Sequence, residues 1–145
     1  VLDNRITGMT GPQENPGTGK SFIGEPTTEL DVVEVLKAIG YKTVKVVDPC
    51  DLKVMEDTVK EAEEATEPYA IVTKRPCVLI KGLPAPKTKC IVDRDKCKKC
   101  KMCLKVGCPA VFFKDGKSYI EQTMCVGCEV CMQVCKFDAI RKVGE

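Results

Sequence analysis

Apolar residues in the middle of the chain recur first with a helical period and then as a continuous run. Thr28 followed by Asp31 is typical of the start of a helix, and apolar positions at intervals of three and four continue from there. This pattern predicts a helix over residues 28–39 that ends at Gly40. The run TVKVV at residues 43–47 predicts a buried strand.

The same alternation continues for another forty residues. Asp48-Pro49 indicates a turn, and DLKVMEDTVKEAEEAT at residues 51–66 predicts a charged amphipathic helix. YAIVT at residues 69–73 and PCVLI at residues 76–80 are both typical of strands. Helices that alternate with strands favour an α/β fold with a parallel sheet, of which this stretch resembles the C-terminal part.

The segments on either side of this pattern are rich in glycine and proline. Residues 1–26 begin with the strand-like VLD and continue as a long Gly- and Pro-rich segment, which predicts a functional loop. The chain starts at Val1 inside that strand without an initiator methionine, so we expect it to be a piece of something longer. GLPAPKT at residues 82–88 is typical of a linker.

Beyond the linker the chain is dominated by two cysteine runs, at residues 97–108 and 125–135. Between them, Asp115-Gly116 separates VFFK from KSYI, which is a strong hairpin signal. The module therefore resembles a duplicated fold with pseudo-two-fold symmetry. The sequence predicts two domains, an α/β domain at residues 1–86 and a small α+β domain at residues 87–145.

Composition narrows the possible functions. Lys plus Arg number 23 against 21 Asp plus Glu, and no basic block with interleaved aromatics is present, so no nucleic-acid partner is expected. No apolar run reaches the roughly 20 residues of a membrane span, and no signal-peptide pattern begins the chain. We expect no membrane association and a cytoplasmic location, since an odd count of 11 cysteines in tight clusters favours a reducing compartment.

The spacing of the cysteines indicates a metal centre. Three cysteines stand at two-residue intervals in each run and a fourth follows after a delay, whereas zinc usually takes separated pairs. Zinc remains the competing interpretation. The spacing is typical of the two-cluster bacterial ferredoxin, in which the fourth cysteine of each run binds the other 4Fe-4S cluster.

By this crossing rule the eight cysteines form two ligand sets. The first set is Cys97, Cys100, Cys103 and Cys135, and the second set is Cys125, Cys128, Cys131 and Cys108. Two positions depart from the usual pattern, because Gly107 lengthens the first run and Lys136 replaces the usual proline in the second. Neither departure removes a ligand.

Three cysteines stand outside the two sets. Cys50 follows a proline turn and Cys77 begins an apolar run, so both are expected to be small buried side chains rather than ligands. Cys90 is also expected to be a bystander, because eight cysteines already satisfy two clusters.

The stretch LDNRITGMTG points to a second kind of chemistry. Asp3 and Asn4 follow a strand, where a side-chain oxygen and nearby carbonyls at the carboxyl edge of a sheet can hold a hard cation and a diphosphate. On its own, Asp-Asn after a strand is more often a turn.

Together, several stretches resemble one family over essentially the whole chain. LDNRITGMTGPQENPGTG, VVDPCDL, RPCVL, CKKCKMCLKVGCPA and CVGCEVC are similar to the C-terminal part of the alpha subunit of indolepyruvate ferredoxin oxidoreductase, a thiamine diphosphate enzyme. The resemblance implies the end of a thiamine-diphosphate-binding α/β domain followed by a ferredoxin-like domain with two 4Fe-4S clusters.

The resemblance also implies a reaction and a set of partners. The reaction is oxidative decarboxylation of an aryl 2-oxo acid with coenzyme A, with a beta subunit and with ferredoxin as the electron acceptor. Asn4 would bind Mg²⁺ through its side chain and Ile6 through its carbonyl. The residues that would line thiamine diphosphate are Thr7, Gly8, Thr10 and Gly11. The family's Gly-Asp-Gly motif and its activating glutamate have no counterpart here, so catalysis is not expected to be complete in this chain.

Two other functions remain open at this point. The chain could be a stand-alone electron carrier with a docking domain, or a subunit of another 2-oxo acid oxidoreductase that contributes only electron transfer. The lysines at residues 96–101 would then be either a solvated face or a docking patch for an acidic redox partner.

Overall fold

The computed structural model describes residues 1–9, 11–83 and 88–144. The chain divides into two compact units, Val1–Leu83 and Pro84–Glu145. The expected boundary between residues 86 and 87 lies outside the described residues, and so does Thr10. None of the helices in the described ranges combines the length and the apolar character needed to cross a bilayer.

The first unit is built on a parallel sheet of three strands. They are β1 (Leu2–Asp3), β2 (Thr43–Val47) and β3 (Tyr69–Lys74), in the order β1-β3-β2. The predicted α/β fold with a parallel sheet is thus confirmed. Parallel strands end at the same edge of a sheet, so the residues that follow β1 and β3 lie beside each other.

The first helix is shorter than its sequence pattern predicts. Helix α1 (Val32–Ala38) is capped by Asp31, whose Oδ1 accepts hydrogen bonds from the backbone N–H groups of Val33 at 2.8 Å and Glu34 at 3.3 Å. The predicted start at residue 28 is wrong, because Asp31 itself satisfies the free N–H groups and leaves Thr28 outside. The predicted stop at Gly40, with φ of 108°, is confirmed.

The second helix matches the predicted position closely. Helix α2 (Leu52–Glu64) begins after Asp51, whose Oδ1 accepts from the Val54 N–H at 3.1 Å. Ion pairs one turn apart line its exposed side, as in Lys53–Asp57 at 2.7 Å. The hydrophobic core of this unit contains the buried residues Leu36, Ala70 and Val72.

The predicted strand at residues 76–80 is wrong. The Cys77 N–H donates to the Asn4 carbonyl at 2.9 Å, and the chain then turns, with the Ile80 N–H donating to the Cys77 carbonyl at 3.1 Å. Val78 and Leu79 are exposed. An apolar run adopts a strand only where a neighbouring strand and a covering layer accept it, and here the run forms a turn beside the loop that follows β1.

The second unit consists of two short antiparallel ladders and the cysteine loops between them. Strand β4 (Cys90–Val92) pairs with β7 (Ile140–Lys142), and β5 (Val111–Lys114) pairs with β6 (Lys117–Ile120). The predicted hairpin is confirmed, with φ of 51° at Asp115 and 71° at Gly116, as a type I′ turn requires.

Each cysteine run in this unit contains a short helical segment. A 3₁₀ helix, Met102–Val106, includes the third cysteine of the first run, Cys103, and α3 (Val130–Gln133) includes the third cysteine of the second run, Cys131. The core between the ladders contains thiols among its aliphatic side chains. Its buried residues are Cys90, Val92, Cys103, Ala110, Val111, Ile120, Cys131 and Ile140.

The assignment of Asp31, rather than Thr28, as the N-cap of α1 can be tested by measuring stability. Replacement of Asp31 by Ala leaves two N–H groups of α1 without their acceptor, so the free energy of unfolding of the first unit should fall by about 1 kcal/mol. Thr28→Ala is the matched control and should change it by less than about 0.5 kcal/mol. Urea denaturation followed by circular dichroism measures both, and equal losses in the two variants would contradict this assignment of the cap.

Candidate metal centres and cofactor loop

One cavity of the second unit, here named cavity I, is lined by cysteines from both runs. Cys97, Cys100 and Cys103 come from the first run and Cys135 from the second. These four are the first ligand set expected from the crossing rule. The other lining side chains include Val92, Met102 and Ile140, so the thiols project into a largely apolar space.

A second cavity, here named cavity II, repeats the arrangement with the roles of the runs exchanged. Cys125, Cys128 and Cys131 of the second run meet Cys108 of the first. The two cavities have similar small volumes, about 20 Å³ in cavity I and 30 Å³ in cavity II. The structure therefore brings together both predicted sets of four cysteines.

The donor groups of both cavities are mainly thiols. Four cysteines of the crossed sets line each cavity, with Glu129 also lining cavity II, and thiolates are the usual ligands of iron-sulfur clusters. Within residues 1–9, 11–83 and 88–144, no three His, Cys, Asp or Glu side chains are arranged to hold one metal ion.

The backbone of the two runs follows the same path around each cavity. In both, the second residue after the first cysteine and the residue after the second cysteine adopt left-handed conformations. These are Lys99 at φ 60°, Lys101 at 61°, Gly127 at 64° and Glu129 at 65°. Left-handed residues next to right-handed ones turn successive N–H groups toward one concave side, which favours an anionic group there.

The extra residue in the first run is accommodated by a glycine. Gly107, at φ 70°, ends the 3₁₀ helix Met102–Val106, and its N–H donates to the Leu104 carbonyl at 3.1 Å. The left-handed conformation costs glycine little, so the longer run still delivers Cys108 to cavity II. In the second run, exposed Lys136 simply follows Cys135.

Cavity I contains a buried hydroxyl group. Ser118 on β6 is 3% exposed, and its Oγ accepts from the Cys103 thiol at 3.2 Å. Burial raises the pKa of the Cys97 thiol, but hydrogen bonds from Ser118 and from the Lys99 backbone, together with the charge of Lys117, outweigh burial and hold this pKa below its usual value. A cysteine thiolate bound to a metal in this cavity would accept a hydrogen bond from the Ser118 hydroxyl group.

Cavity II contains a fifth thiol. Cys90 on β4 is 1% exposed and lines the cavity, and its backbone N–H donates to Cys125 Sγ at 3.4 Å. Burial and the neighbouring Cys90 raise the pKa of the Cys131 thiol well above its usual value. The matching bond in cavity I runs from the Ala139 N–H to Cys135 Sγ, also at 3.4 Å.

The two remaining cysteines lie in the first unit. Cys50 and Cys77 are half-buried rather than buried, which corrects the expectation that they are core side chains. The Cys50 N–H donates to Asp48 Oδ1 at 2.8 Å, which confirms a turn after β2. All 11 cysteines lie within the described residues, and none of them forms a disulfide.

The loop that follows β1 is held by an ion-pair network. The Arg5 guanidinium lies 2.8 Å from Glu29 Oε1 and 3.6 Å from Asp3 Oδ2. The hydrogen bond to Glu29 raises the pKa of Arg5, although burial opposes it. Arg5 itself is left-handed at φ 61°, and its N–H donates to Asp3 Oδ1 at 3.0 Å. The Asp3 carboxylate is therefore engaged by Arg5.

Asn4 has an exposed side chain at the carboxyl end of β1. Its Oδ1 accepts from the Ile6 N–H at 3.2 Å, and its main-chain carbonyl accepts from Cys77. An amide oxygen has two lone pairs, so the side-chain oxygen can also bind a cation. The exposed side-chain oxygen of Asn4 is therefore a suitable ligand for Mg²⁺, which binds oxygen donors.

Of the other predicted cofactor residues, Thr7 lies at the start of a turn closed by hydrogen bonds. Thr7 and Gln13 exchange backbone hydrogen bonds of 3.0 and 2.8 Å. Gly11, at φ 114°, occupies a conformation that other residues rarely adopt. Ile6 and Gly11 line a cavity together with Phe22 and Leu79, whereas Asn4, Thr7 and Gly8 are not among its lining residues, and Thr10 lies outside the described residues.

Comparison with protein families identifies both units. The model described as "Thiamine pyrophosphate enzyme, C-terminal TPP binding domain" matches residues 1–73, half of the chain. The chain belongs to this family. The model described as "4Fe-4S binding domain" matches residues 118–141, which contain Cys125, Cys128, Cys131 and Cys135. A domain for 4Fe-4S binding is thus present, as expected from the spacing, rather than one typical of zinc.

Individual relatives support the resemblance stated from the sequence. The chain is 41% identical over its whole length to indolepyruvate oxidoreductase subunit IorA of Pyrococcus abyssi and 36% identical to that of Methanothermobacter thermautotrophicus. It spans about a quarter of these relatives, 24% of each. Over 58 residues it is 38% identical to pyruvate synthase subunit PorD of Methanocaldococcus jannaschii, covering 66% of that protein.

Sequence reasoning missed several residues of these sites. Ser118 stands in an alternating strand with no motif around it, and Cys90 precedes the first run without the spacing of a ligand. Period-two alternation places Ser118 on the same face as Ile120, which is the only signal that could have indicated a buried hydroxyl. The pairing of Arg5 with Glu29 joins residues far apart in sequence and carries no local signal.

The crossed arrangement of ligands predicts the outcome of two matched double substitutions. Cys100→Ala/Cys135→Ala removes two ligands from cavity I alone, so about four of eight iron atoms should remain. Cys100→Ala/Cys108→Ala damages both cavities, so most of the iron should be lost. Iron and acid-labile sulfide are measured in anaerobically purified protein. The reverse result, with more iron in the second variant, would mean that each run binds its own cluster.

The buried hydroxyl in cavity I predicts a shift in reduction potential. Ser118→Ala removes a hydrogen bond that favours the more negative reduced cluster, so the potential of the cluster in cavity I should fall by roughly 20–60 mV, equivalent to about 0.5–1.5 kcal/mol for one electron. Ser118→Thr retains the hydroxyl and should restore most of the potential. A redox titration followed by electron paramagnetic resonance resolves the two clusters, and an unchanged potential in the alanine variant would exclude this role.

Proposed function

We propose that this chain is the C-terminal part of a 2-oxo acid ferredoxin oxidoreductase that acts on indolepyruvate or a related aryl pyruvate with coenzyme A. Its product would be an acyl-CoA together with carbon dioxide and reduced ferredoxin. The observation that carries the proposal is the presence in one chain of a thiamine pyrophosphate domain at residues 1–73 and a module with two four-cysteine cavities.

In this proposal the second unit holds two 4Fe-4S clusters. Cavity I binds one through Cys97, Cys100, Cys103 and Cys135, and cavity II binds the other through Cys125, Cys128, Cys131 and Cys108. Thiamine diphosphate supplies carbanion stabilisation when bound, and the clusters accept the electrons singly. The thiols of both cavities are held by a buried core and by N–H groups from the ends of β4 and β7.

The first unit contributes oxygen ligands and the shape of a loop. We assign the Asn4 side-chain oxygen and the Ile6 carbonyl to Mg²⁺, which would offset the negative charge of the cofactor's diphosphate. The Arg5 network with Asp3 and Glu29 holds the turn that exposes the Asn4 oxygen. The thiamine-lining residues are Thr7, Gly8, Thr10 and Gly11.

The substrate and the partners are inferred from the relatives. Their name, indolepyruvate oxidoreductase subunit IorA, supports an indolepyruvate or aryl pyruvate substrate and a second, beta subunit. Eleven cysteines without a disulfide among the described residues support a reducing location, which we take to be the cytoplasm.

A role limited to electron transfer is the second candidate, and one comparison favours it. The similarity to PorD covers 38% of this chain and 66% of that smaller protein, so a related cysteine-rich module occurs as a separate subunit. The two candidates differ in whether the loop after β1 binds cofactor, and Asn4 is the residue that separates them.

Substitution of Asn4 in the complete enzyme tests the proposal. Asn4→Ala removes a side-chain oxygen from the magnesium site, so 2-oxo-acid-dependent dye reduction should fall at least about 100-fold at limiting Mg²⁺ while the iron content stays unchanged. Asn4→Asp is the matched control, since it keeps an oxygen ligand and the hydrogen bond to Ile6.

The measurements are initial rates of viologen reduction with indolepyruvate and coenzyme A, beside iron analysis. Near-normal rates for Asn4→Ala at limiting Mg²⁺ would mean that the loop is structural and that the magnesium assignment is wrong. An enzyme with both clusters but no dye reduction by any 2-oxo acid would favour the role limited to electron transfer.

A further inference from the structure

The two cysteine runs share a backbone path but differ sharply in charge. The positions between the first three cysteines are Lys98, Lys99, Lys101 and Met102 in the first run, and Val126, Gly127, Glu129 and Val130 in the second. The two runs have the same backbone conformation although their charges are opposite. The lysines of the first run are therefore not needed to form its loop.

The conformation of Lys99 strengthens this point. Lys99 has a φ of 60°, and its counterpart Gly127 has a φ of 64°. A residue with a β-carbon costs roughly 1 kcal/mol more than glycine in this conformation. The first run therefore carries a cation at a position where glycine would be more stable.

The lysines surround the most accessible point of the metal centres. Cys100 is exposed, whereas its counterpart Cys128 is half-buried, and the other six cysteines of the two ligand sets are half-buried or buried. Lys98 lines cavity I beside Cys100, and Lys101 follows it directly in the chain. A cluster in cavity I would thus meet solvent between these lysines.

These ammonium groups are available to a partner. Among the described residues, no ion pair engages Lys98, Lys99 or Lys101, in contrast to Lys53 and Lys60, which pair with acidic residues of their own helix. The Lys101 ammonium lies 4.7 Å from the centroid of the Phe113 ring, a contact that orients it without neutralising its charge.

We propose that Lys98, Lys99 and Lys101 around Cys100 form a docking surface for a small acidic one-electron carrier protein, and that the cluster in cavity I is the one from which electrons leave. One electron passes from that reduced cluster to the oxidised centre of the carrier, and no bond forms or breaks. Three cations around an exposed ligand favour an acidic protein because opposite charges steer its approach and fix its orientation. This inference rests on the proposed function.

The test neutralises the surface in the complete enzyme. Lys98→Gln/Lys99→Gln/Lys101→Gln should lower kcat/KM for a ferredoxin of strongly negative net charge about 10-fold to 100-fold at low ionic strength. The loss should shrink to less than about 3-fold at about 0.5 M salt, because screening removes the steering. Lys42→Gln/Lys53→Gln/Lys60→Gln removes the same charge from exposed positions of the first unit and should leave kcat/KM nearly unchanged.

A zwitterionic sulfonated viologen, which has no net charge, separates docking from cluster chemistry. Its rate of reduction and the cluster potentials should be the same in wild type and in the variant at Lys98, Lys99 and Lys101. Unchanged kcat/KM for ferredoxin, an equal loss with the viologen, or an equal loss in the control variant would each overturn the proposal.

Electron transfer from photoreduced enzyme keeps this test independent of the substrate. Enzyme reduced by deazaflavin and light is mixed with oxidised ferredoxin, and the single-turnover rate is followed. A salt-dependent loss confined to the variant at Lys98, Lys99 and Lys101 supports the docking surface even if no 2-oxo acid is oxidised. A rate equal to wild type overturns it even if the 2-oxo acid is oxidised normally.

Discussion

The second unit depends on the exchange of one cysteine between its two runs. Each cavity takes three thiols from one loop and a fourth from the end of the other, so neither loop can complete its own cavity. The exchange fixes how the two halves of the duplicated module pack. Cys103 and Cys131 also belong to the buried core, so packing of the core positions these two thiols in the cavities. Metal binding would therefore contribute directly to folding.

Pseudo-symmetry makes the differences between the cavities informative. Cavity I has a buried hydroxyl from Ser118 and opens at Cys100 among cations, whereas cavity II has no exposed cysteine and has the buried Cys90 thiol at its wall. Hydrogen bonds, solvent access and nearby charge are the main influences of a protein on cluster potential. All three differ in the same direction, which favours the more reduced, more negative state in cavity I.

In the first unit, polar side chains at the end of β1 determine the path of the backbone. The Asp3 carboxylate and the Asn4 amide each accept an N–H group two residues further along the chain, and left-handed Arg5 joins them to Glu29. These local bonds turn the chain sharply at the carboxyl edge of the sheet. The turn leaves an amide oxygen exposed at a place where parallel-sheet proteins commonly bind diphosphate ligands.

The sequence by itself determined the features that depend on short-range spacing. Periods of apolar residues located β2, α2 and β3, Asp115-Gly116 located the hairpin, and the cysteine intervals predicted which thiols line each cavity, because each is a constraint among neighbours in the chain. Tertiary structure decided the rest. The run at residues 76–80 became a turn, and Ser118 and Cys90 reached the cavities, through contacts between residues distant in sequence that no local pattern records.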